Sequence, residues 1–260
     1  MKNKIILVLF ALFISKAMLA QNLNQYEKHL YVNKGDTLPY RLLLPLNYNP
    51  GKLYPMILFL HGSGERGNDN EAQLVHGGNL FLQDSIRQKY PAIIVFPQCS
   101  AQDSWVNKTD TYDSAGKRIF VFNTAAKPTK AMRLLDKLVR FLIFEYPITK
   151  RQLYVGGLSL GGMGTYEIVR MEPVLFVAAF PICGAADVSI VPKLKNVHWW
   201  IFHGGKDATV DPKYSVLMHE ALIKLNIPVK LTIYPEAGHS SWDNVFVEPN
   251  LMEWIFSHKK

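Results

Sequence analysis

Six short runs of mostly apolar residues, at 56–60, 92–96, 153–155, 177–180, 199–202 and 230–234, limit what this chain can fold into. A strand wet on one face alternates apolar and polar side chains, whereas a strand covered on both faces does not. The stretches between the runs have a different rhythm. Over 131–144 leucines and valines recur at three- and four-residue steps among Arg133, Asp136, Lys137 and Arg140, which predicts an amphipathic helix. Asp211 followed by Pro212 predicts a helix start, with Asp211 as N-cap and the helix running over 212–225; a last helix is expected near 249–256. Ahead of the first run, Tyr31-Val32 and 40–46 flank Lys34-Gly35-Asp36, as a hairpin would. Strands alternating with helices imply βαβ units with right-handed crossovers. The expected fold is therefore α/β, a mostly parallel sheet of about eight strands with an antiparallel N-terminal hairpin and helices on both faces.

The first twenty residues stand outside that scheme. Lys2 and Lys4 precede an apolar run over 5–14, and Ala17-Met18-Leu19-Ala20 ends on a small residue, the layout of a secretory signal peptide cleaved after Ala20. The run is too short for a hydrocarbon core ~30 Å thick. Residues 21–260 are then expected to form one catalytic domain of a secreted or periplasmic protein, without stable membrane insertion. Removing Lys2, Lys4 and Lys16 lowers the formal charge from +8 to +5. No run of basic residues interleaved with aromatics appears, so nucleic acid is not an expected partner. Cys99 and Cys183 lack the C-x-x-C spacing of a zinc site or redox dithiol. The polar region 98–129, holding Trp105, Tyr112, Phe120 and Phe122, has no steady period. A long insertion after a strand is often functional, because ligands bind beyond the carboxyl ends of such strands; an ordinary surface excursion is the competing reading.

The strongest chemical signal is Gly157-Leu158-Ser159-Leu160-Gly161 between the strand-like 153–155 and a helix-like stretch beginning at Gly162. A sharp strand-to-helix turn would hold Ser159 in a strained conformation with its hydroxyl above the sheet. The helix would point its positive end at a developing oxyanion. A serine nucleophile needs a base, and the base needs a carboxylate to orient it. Each should follow a later strand, acid before histidine. Asp207, after 199–202, and His239, after 230–234, meet that order. Asp211 competes as the acid but suits a helix cap; Glu236 lies too close to His239 on a tight loop. His203 sits at a strand exit, where a packed or hydrogen-bonded role is expected, while His219 reads as helix surface and His198 as a pre-strand residue. The oxyanion donors are expected to be the backbone N–H groups of Leu160 and Ser63, with Gly64 as runner-up, since the glycine-rich segment 61–67 directly follows the run 56–60. Trp105 and Trp242 are candidates for a substrate wall.

Together, H-G-x-G-x-x-G at 61–67, G-L-S-L-G-G at 157–162, G-G-K-D-A-T-V at 204–210 and G-H-S-S-W at 238–242 resemble the α/β-hydrolase superfamily. More narrowly, the set is similar to secreted esterases related to polyhydroxybutyrate depolymerases, feruloyl and acetylxylan esterases, and to the catalytic domain of prolyl oligopeptidases. The resemblance implies Ser159 as nucleophile, Asp207 as acid, His239 as base, Ser63 and Leu160 as oxyanion donors, and no metal or organic cofactor. It also implies an ester substrate, extending to feruloyl or acetyl groups on polysaccharide. A serine peptidase of the prolyl oligopeptidase type and a non-catalytic binding protein on the same fold are the alternatives. No propeller precedes the catalytic motifs, which speaks against the peptidase. The superfamily strand order separates the strands before Cys99 and Cys183 by three steps, roughly 14 Å. A disulfide needs Cα atoms within ~7 Å, so both cysteines are expected to be free.

Overall fold

A computed structural model describes residues 23–260; the expected signal peptide lies outside the described residues. Among the described residues ten strands occur: β1 (Glu27–Asn33), β2 (Asp36–Leu43), β3 (Tyr54–Leu60), β4 (Ile93–Pro97), β5 (Lys108–Tyr112), β6 (Arg118–Phe122), β7 (Ile148–Leu158), β8 (Ala178–Ile182), β9 (His198–Gly204) and β10 (Val229–Tyr234). Eight form one sheet in the order β1-β2-β4-β3-β7-β8-β9-β10, and β5-β6 form a separate pair. From β4 to β10 the neighbours are parallel, while β2 is antiparallel to both β1 and β4. The expected eight strands and antiparallel start are all present. The β1–β2 turn is two residues long, with Lys34 at φ 53° and Gly35 at φ 86°. That is the backbone twist a tight hairpin requires, and it brings Asn33 opposite Asp36.

The unbroken apolar runs are explained by cover on both faces. Along β3, Met56, Leu58 and Leu60 join one core while Ile57 and Phe59 join the other; Trp199 and Ile201 part from Trp200 and Phe202 in the same way along β9. The first core is closed by α3 (Lys130–Glu145), α4 (Leu160–Met171) and α5 (Lys213–Lys224). The second is closed by α1 (Gly78–Leu82), α2 (Asp84–Lys89), α6 (Trp242–Val245) and α7 (Leu251–Ser257). Helix α3 begins where Thr129 accepts a hydrogen bond from the Met132 N–H at 3.1 Å. At α5 the Asp211 carboxylate accepts from the Lys213 N–H at 2.8 Å, with Pro212 just outside the helix rather than at its first position. Among the described residues no helix is long and apolar enough to cross a membrane.

In-register pairing lines up the strand ends that matter. Leu60 faces Gly157, Leu158 faces Ile182, Ile182 faces Phe202, and Gly204 faces Tyr234. The segments leaving β3, β4, β7, β9 and β10 therefore emerge along one edge, the carboxyl edge where open α/β sheets bind ligands.

Candidate active site

Ser159 occupies the single residue between β7 and α4, with φ 52° and ψ −115°. A residue with a Cβ is held in such a region only by its surroundings, at a cost of about 1–3 kcal/mol. Here its N–H donates to the Ile182 carbonyl at 2.8 Å and its carbonyl accepts from the Met163 N–H at 3.0 Å. The turn packs so tightly on β3 that a Cβ at Gly161 would lie 2.0 Å from the Leu60 carbonyl oxygen, so only glycine fits. The hydroxyl is left as the free end of a rigid turn.

His239 stands over that hydroxyl with Nε2 2.9 Å from Ser159 Oγ, and its Nδ1 is 2.7 Å from Asp207 Oδ2. The other Asp207 oxygen accepts from the Thr209 and Val210 N–H groups at 2.8 and 2.9 Å. Burial of the Asp207 carboxyl acts to raise its pKa. Hydrogen bonds from His203, His239 and Val210, with the electrostatic pull of His239, outweigh burial and hold it well below the usual carboxylate range. The contact to His203 was not foreseen. That residue is fully buried, with Nε2 2.9 Å from the Val210 carbonyl and 3.2 Å from Asp207 Oδ2, and Nδ1 2.7 Å from Ser215 Oγ. Both neighbours of Nε2 are acceptors, so Nε2 carries the proton and Nδ1 accepts from Ser215. Its only sequence signal is a histidine four residues before the acid, across Gly204-Gly205.

The remaining rivals are engaged elsewhere. Asp211 pairs with Lys117 and caps α5. Glu236 is exposed and paired with Lys206, His198 stacks on His258 at 4.1 Å between ring centres, and His219 lies half-buried along α5.

The loop after β3 lies against the serine: a Cβ at Gly62 would be 3.6 Å from Ser159 Cβ. Ser63 and Leu160, the two expected donors, line one cavity together with Ser159. His61 anchors this loop. Its Nδ1 donates to the Gly62 carbonyl at 2.6 Å and its Nε2 accepts from the Cys99 N–H at 2.9 Å. Burial lowers its pKa to about 4, so it stays neutral in the folded protein. Gln98 adds a second anchor, accepting from the Asn70 N–H and donating to the Glu65 carbonyl and Asp69.

The cavity above Ser159 has a volume of about 320 Å³. Its roof is the insertion, which proves to be ordered: β5 and β6 form a hairpin that contributes Lys108, Asp110, Arg118 and Phe120 to the lining. The hairpin is tied to α5 through the Phe120 N–H, which donates to Tyr214 Oη at 2.9 Å, and through the Lys117–Asp211 pair. Asp103, earlier in the insertion, accepts from the Ala131 N–H at 2.7 Å at the start of α3. The expectation that Trp105 forms a substrate wall is corrected. Trp105 is fully buried, its indole N–H donates to the His61 carbonyl at 3.2 Å, and its apolar bulk fills core; its neighbours Ser104 and Val106 line the cavity instead. Trp242 lies edge-on to the His239 ring at 5.4 Å between centres and also contacts His76. It buttresses the histidine from a position 9% exposed, and is not among the residues lining the cavity.

Among the described residues one group has metal-ligand spacing, Cys183 with Asp207 and His239. It coincides with the hydrogen-bonded acid and histidine. Burial also raises the Cys183 pKa strongly, whereas a metal would need the thiolate. Both cysteines are free, as expected; burial pushes the Cys99 thiol up to about 12.

A serine on a strained turn at the carboxyl edge, hydrogen-bonded to a histidine that faces a buried carboxylate, defines an α/β hydrolase. The Phospholipase/Carboxylesterase family description matches residues 50–249, and the chain belongs to that family of carboxylic-ester hydrolases. A thermostable esterase is similar over 92% of this chain at 29% identity, with TM-score 0.81; the chain spans 64% of that protein's length. A ferulic acid esterase from Anaeromyces mucronatus shares the fold at 18% identity and TM-score 0.61, over 82% of this chain and 84% of the other. A putative dipeptidyl aminopeptidase IV from Bacteroides ovatus shares it at 17% identity and TM-score 0.65, over 89% of this chain and 35% of the other. No curated protein matches.

Proposed function

We propose that this chain is an exported serine esterase that works through Ser159, His239 and Asp207 by way of an acyl-enzyme. The observation that carries the reading is the continuous line from Ser159 Oγ to His239 Nε2 at 2.9 Å and from His239 Nδ1 to Asp207 at 2.7 Å, opening into a cavity. As Ser159 Oγ attacks the ester carbonyl carbon, its proton passes to His239 Nε2. Asp207 keeps Nδ1 protonated and stabilises the imidazolium. The tetrahedral oxyanion is held by the N–H groups of Leu160 and Ser63, at the positive end of α4. When the intermediate collapses, the alcohol leaves with the proton from His239. Water then attacks the acyl group with His239 as base, releasing the acid and restoring Ser159.

Export rests on the N-terminal segment 1–20, with a secreted or periplasmic location. A substrate with feruloyl or acetyl groups on polysaccharide is suggested by the resemblance to secreted esterases and by a ferulic acid esterase sharing the fold. A peptidase that held a substrate amine would need acidic side chains in the cavity, whereas this lining has three cations and one carboxylate.

The test is a fluorophosphonate probe applied to the folded protein, with the label located by mass spectrometry. Labelling at Ser159 that disappears in Ser159→Ala, with turnover of small aryl esters, supports the reading. An unlabelled folded protein would sink it and favour a binding protein on this fold.

A further inference from the structure

We infer that the ester taken by this site carries its own negative charge, a carboxylate that lies under the β5–β6 hairpin. The inference rests on the proposed esterase reading and deepens it by naming the substrate class. The cavity lining contains Arg66, Lys108 and Arg118 against a single carboxylate, Asp110, a net charge of +2 in the cavity that the reacting serine also lines. Asp110 is already committed to two of the cations. It accepts from Lys108 Nζ at 2.5 Å and from Arg118 Nε at 3.0 Å, with Arg118 Nη2 on the same oxygen as Nε. Burial works to raise its pKa, but those two partners outweigh burial and keep it below the usual carboxylate range. One positive charge of that trio remains uncompensated.

Arg66 supplies the second. It is held by backbone carbonyls, Nε on Ser63 at 3.1 Å and Nη1 on Asp103 at 3.0 Å. The Asp103 carboxylate itself is turned to the N–H groups of Ser104 and Ala131. Phe120 fixes the direction of the other two, with Lys108 Nζ 4.7 Å and the Arg118 guanidinium carbon 4.9 Å from its ring centre. Lys108 has only 14% of its side chain exposed. Cations gathered around a partly enclosed cavity repel one another and lose solvation, and an incoming anion relieves both costs. Val106, Phe120, Leu160, Met163 and Val210 supply the apolar remainder of the lining, so the fitting ligand is an organic ester with a carboxylate at a distance from the scissile bond.

That carboxylate has two sources: the acyl half, as in a half-ester of a dicarboxylic acid, or the alcohol half, as in an ester borne on a uronic acid. Two pairs of probes separate them. Naphthyl monoadipate against naphthyl hexanoate reads the acyl half; 3-acetoxybenzoate against its methyl ester reads the alcohol half. In at least one pair the anionic member is expected to have a kcat/KM about tenfold or more above its neutral partner, a ratio that falls as salt is added. Lys108→Gln and Arg118→Gln should each lower the ratio about fivefold, and Asp110→Asn should raise it by a similar factor. The opposite sign matters, because a hairpin merely loosened by substitution would move all three ratios together. Neutral esters preferred in both pairs would overturn the inference. So would variants that change anionic and neutral rates alike, since the cations would then be acting on the oxyanion. Turnover of none of the four esters, with no labelling of Ser159, would instead remove the esterase reading beneath it.

Discussion

The floor of the cavity is made by four strand ends that pairing along one sheet holds in register, whereas its roof is a two-stranded hairpin fixed to the body at a few points. On the floor, Ser159, Asp207 and His239 leave β7, β9 and β10, and the loop 61–67 leaves β3; each is held by backbone hydrogen bonds or buried side chains. The roof has Phe120 and Val106 in the core, while Lys108, Asp110 and Arg118 turn to the cavity and Tyr112 and Val121 to solvent. The difference separates two tasks. Chemistry needs reacting atoms fixed to within fractions of an ångström, and the sheet supplies that. Selectivity needs a surface of a given charge and shape, which a hairpin provides without disturbing the sheet. Substitutions should therefore have large effects on rate at the floor and small effects on preference at the roof.

The largest effect is expected from Asp207→Asn. One carboxylate oxygen is bound by the N–H groups of Thr209 and Val210, so the amide oxygen of the variant stays there. Its NH2 group then faces both histidines. Toward His239 it forces Nδ1 to become an acceptor and puts the proton on Nε2, where it cannot take the one from Ser159; toward His203 it sets donor against donor. A fall in kcat on the order of 10⁴-fold, with little change in KM, is expected. Because Asp207 is held well below the usual carboxylate range, the wild-type protein should show no loss of activity from protonating it in weakly acidic buffer. A fall of less than tenfold would mean that His239 is oriented by something else.

Next in size is the acid sensitivity of the loop that carries Ser63. His61 has an ordinary pKa of 6.5 and is lowered to about 4 in the fold by burial. Between those values the unfolded chain binds a proton that the native protein refuses, so stability falls as pH drops from about 6.5 to about 4. The shift corresponds to roughly 3 kcal/mol at full extent. Protonation would also cost the Cys99 N–H its acceptor. Urea unfolding of wild type and His61→Asn at pH 7 and pH 4.5 checks this. The variant is less stable at pH 7 but should lose about 2 kcal/mol less than wild type on acidification. His258, also lowered to about 4, contributes a dependence of the same sign in both proteins and cancels in the difference. Equal losses would mean that His61 is already charged in the fold.

What could be read from the sequence divides along the same line. The floor was legible because each of its residues sits on a strand-to-loop junction that an apolar run and glycines mark, and because a fixed chain order assigns Asp207 and His239 after Ser159. The sheet with its antiparallel start was legible for a similar reason: burial on both faces writes itself as unbroken apolar runs. The roof was not. β6 is a short apolar run after Arg118, but its partner Lys108-Thr109-Asp110-Thr111-Tyr112 is almost wholly polar, so no hydrophobic period identifies the pair. Its polar face is explained only by a cavity formed from distant segments. Trp105 misled for the converse reason: a tryptophan in a polar insertion suggests a ligand surface, and only the fold brings the His61 carbonyl and α4 to it. The His203–Asp207 contact depends on how the chain doubles back after β9, which no local pattern encodes.

The smallest effect is also the most discriminating. Tyr214→Phe removes one oxygen, the acceptor for the Phe120 N–H, while leaving the Phe120–Tyr214 ring contact, at 5.5 Å between centres, essentially in place. The expected loss of stability is about 1 kcal/mol. If roof and floor are separate, fluorophosphonate should label Ser159 at the wild-type rate, because Tyr214 itself makes no hydrogen bond to Ser159, His239 or Asp207. Amide hydrogen exchange over 108–122 should speed up, because the hairpin opens locally without unfolding the sheet. The preference for anionic over neutral esters should narrow by two- or threefold as Lys108 and Arg118 sample more positions. If instead labelling slows in step with exchange, the hairpin also holds the floor in shape; the link would run from Phe120 through Tyr214 to the start of α5, where Ser215 meets His203 and His203 meets Asp207.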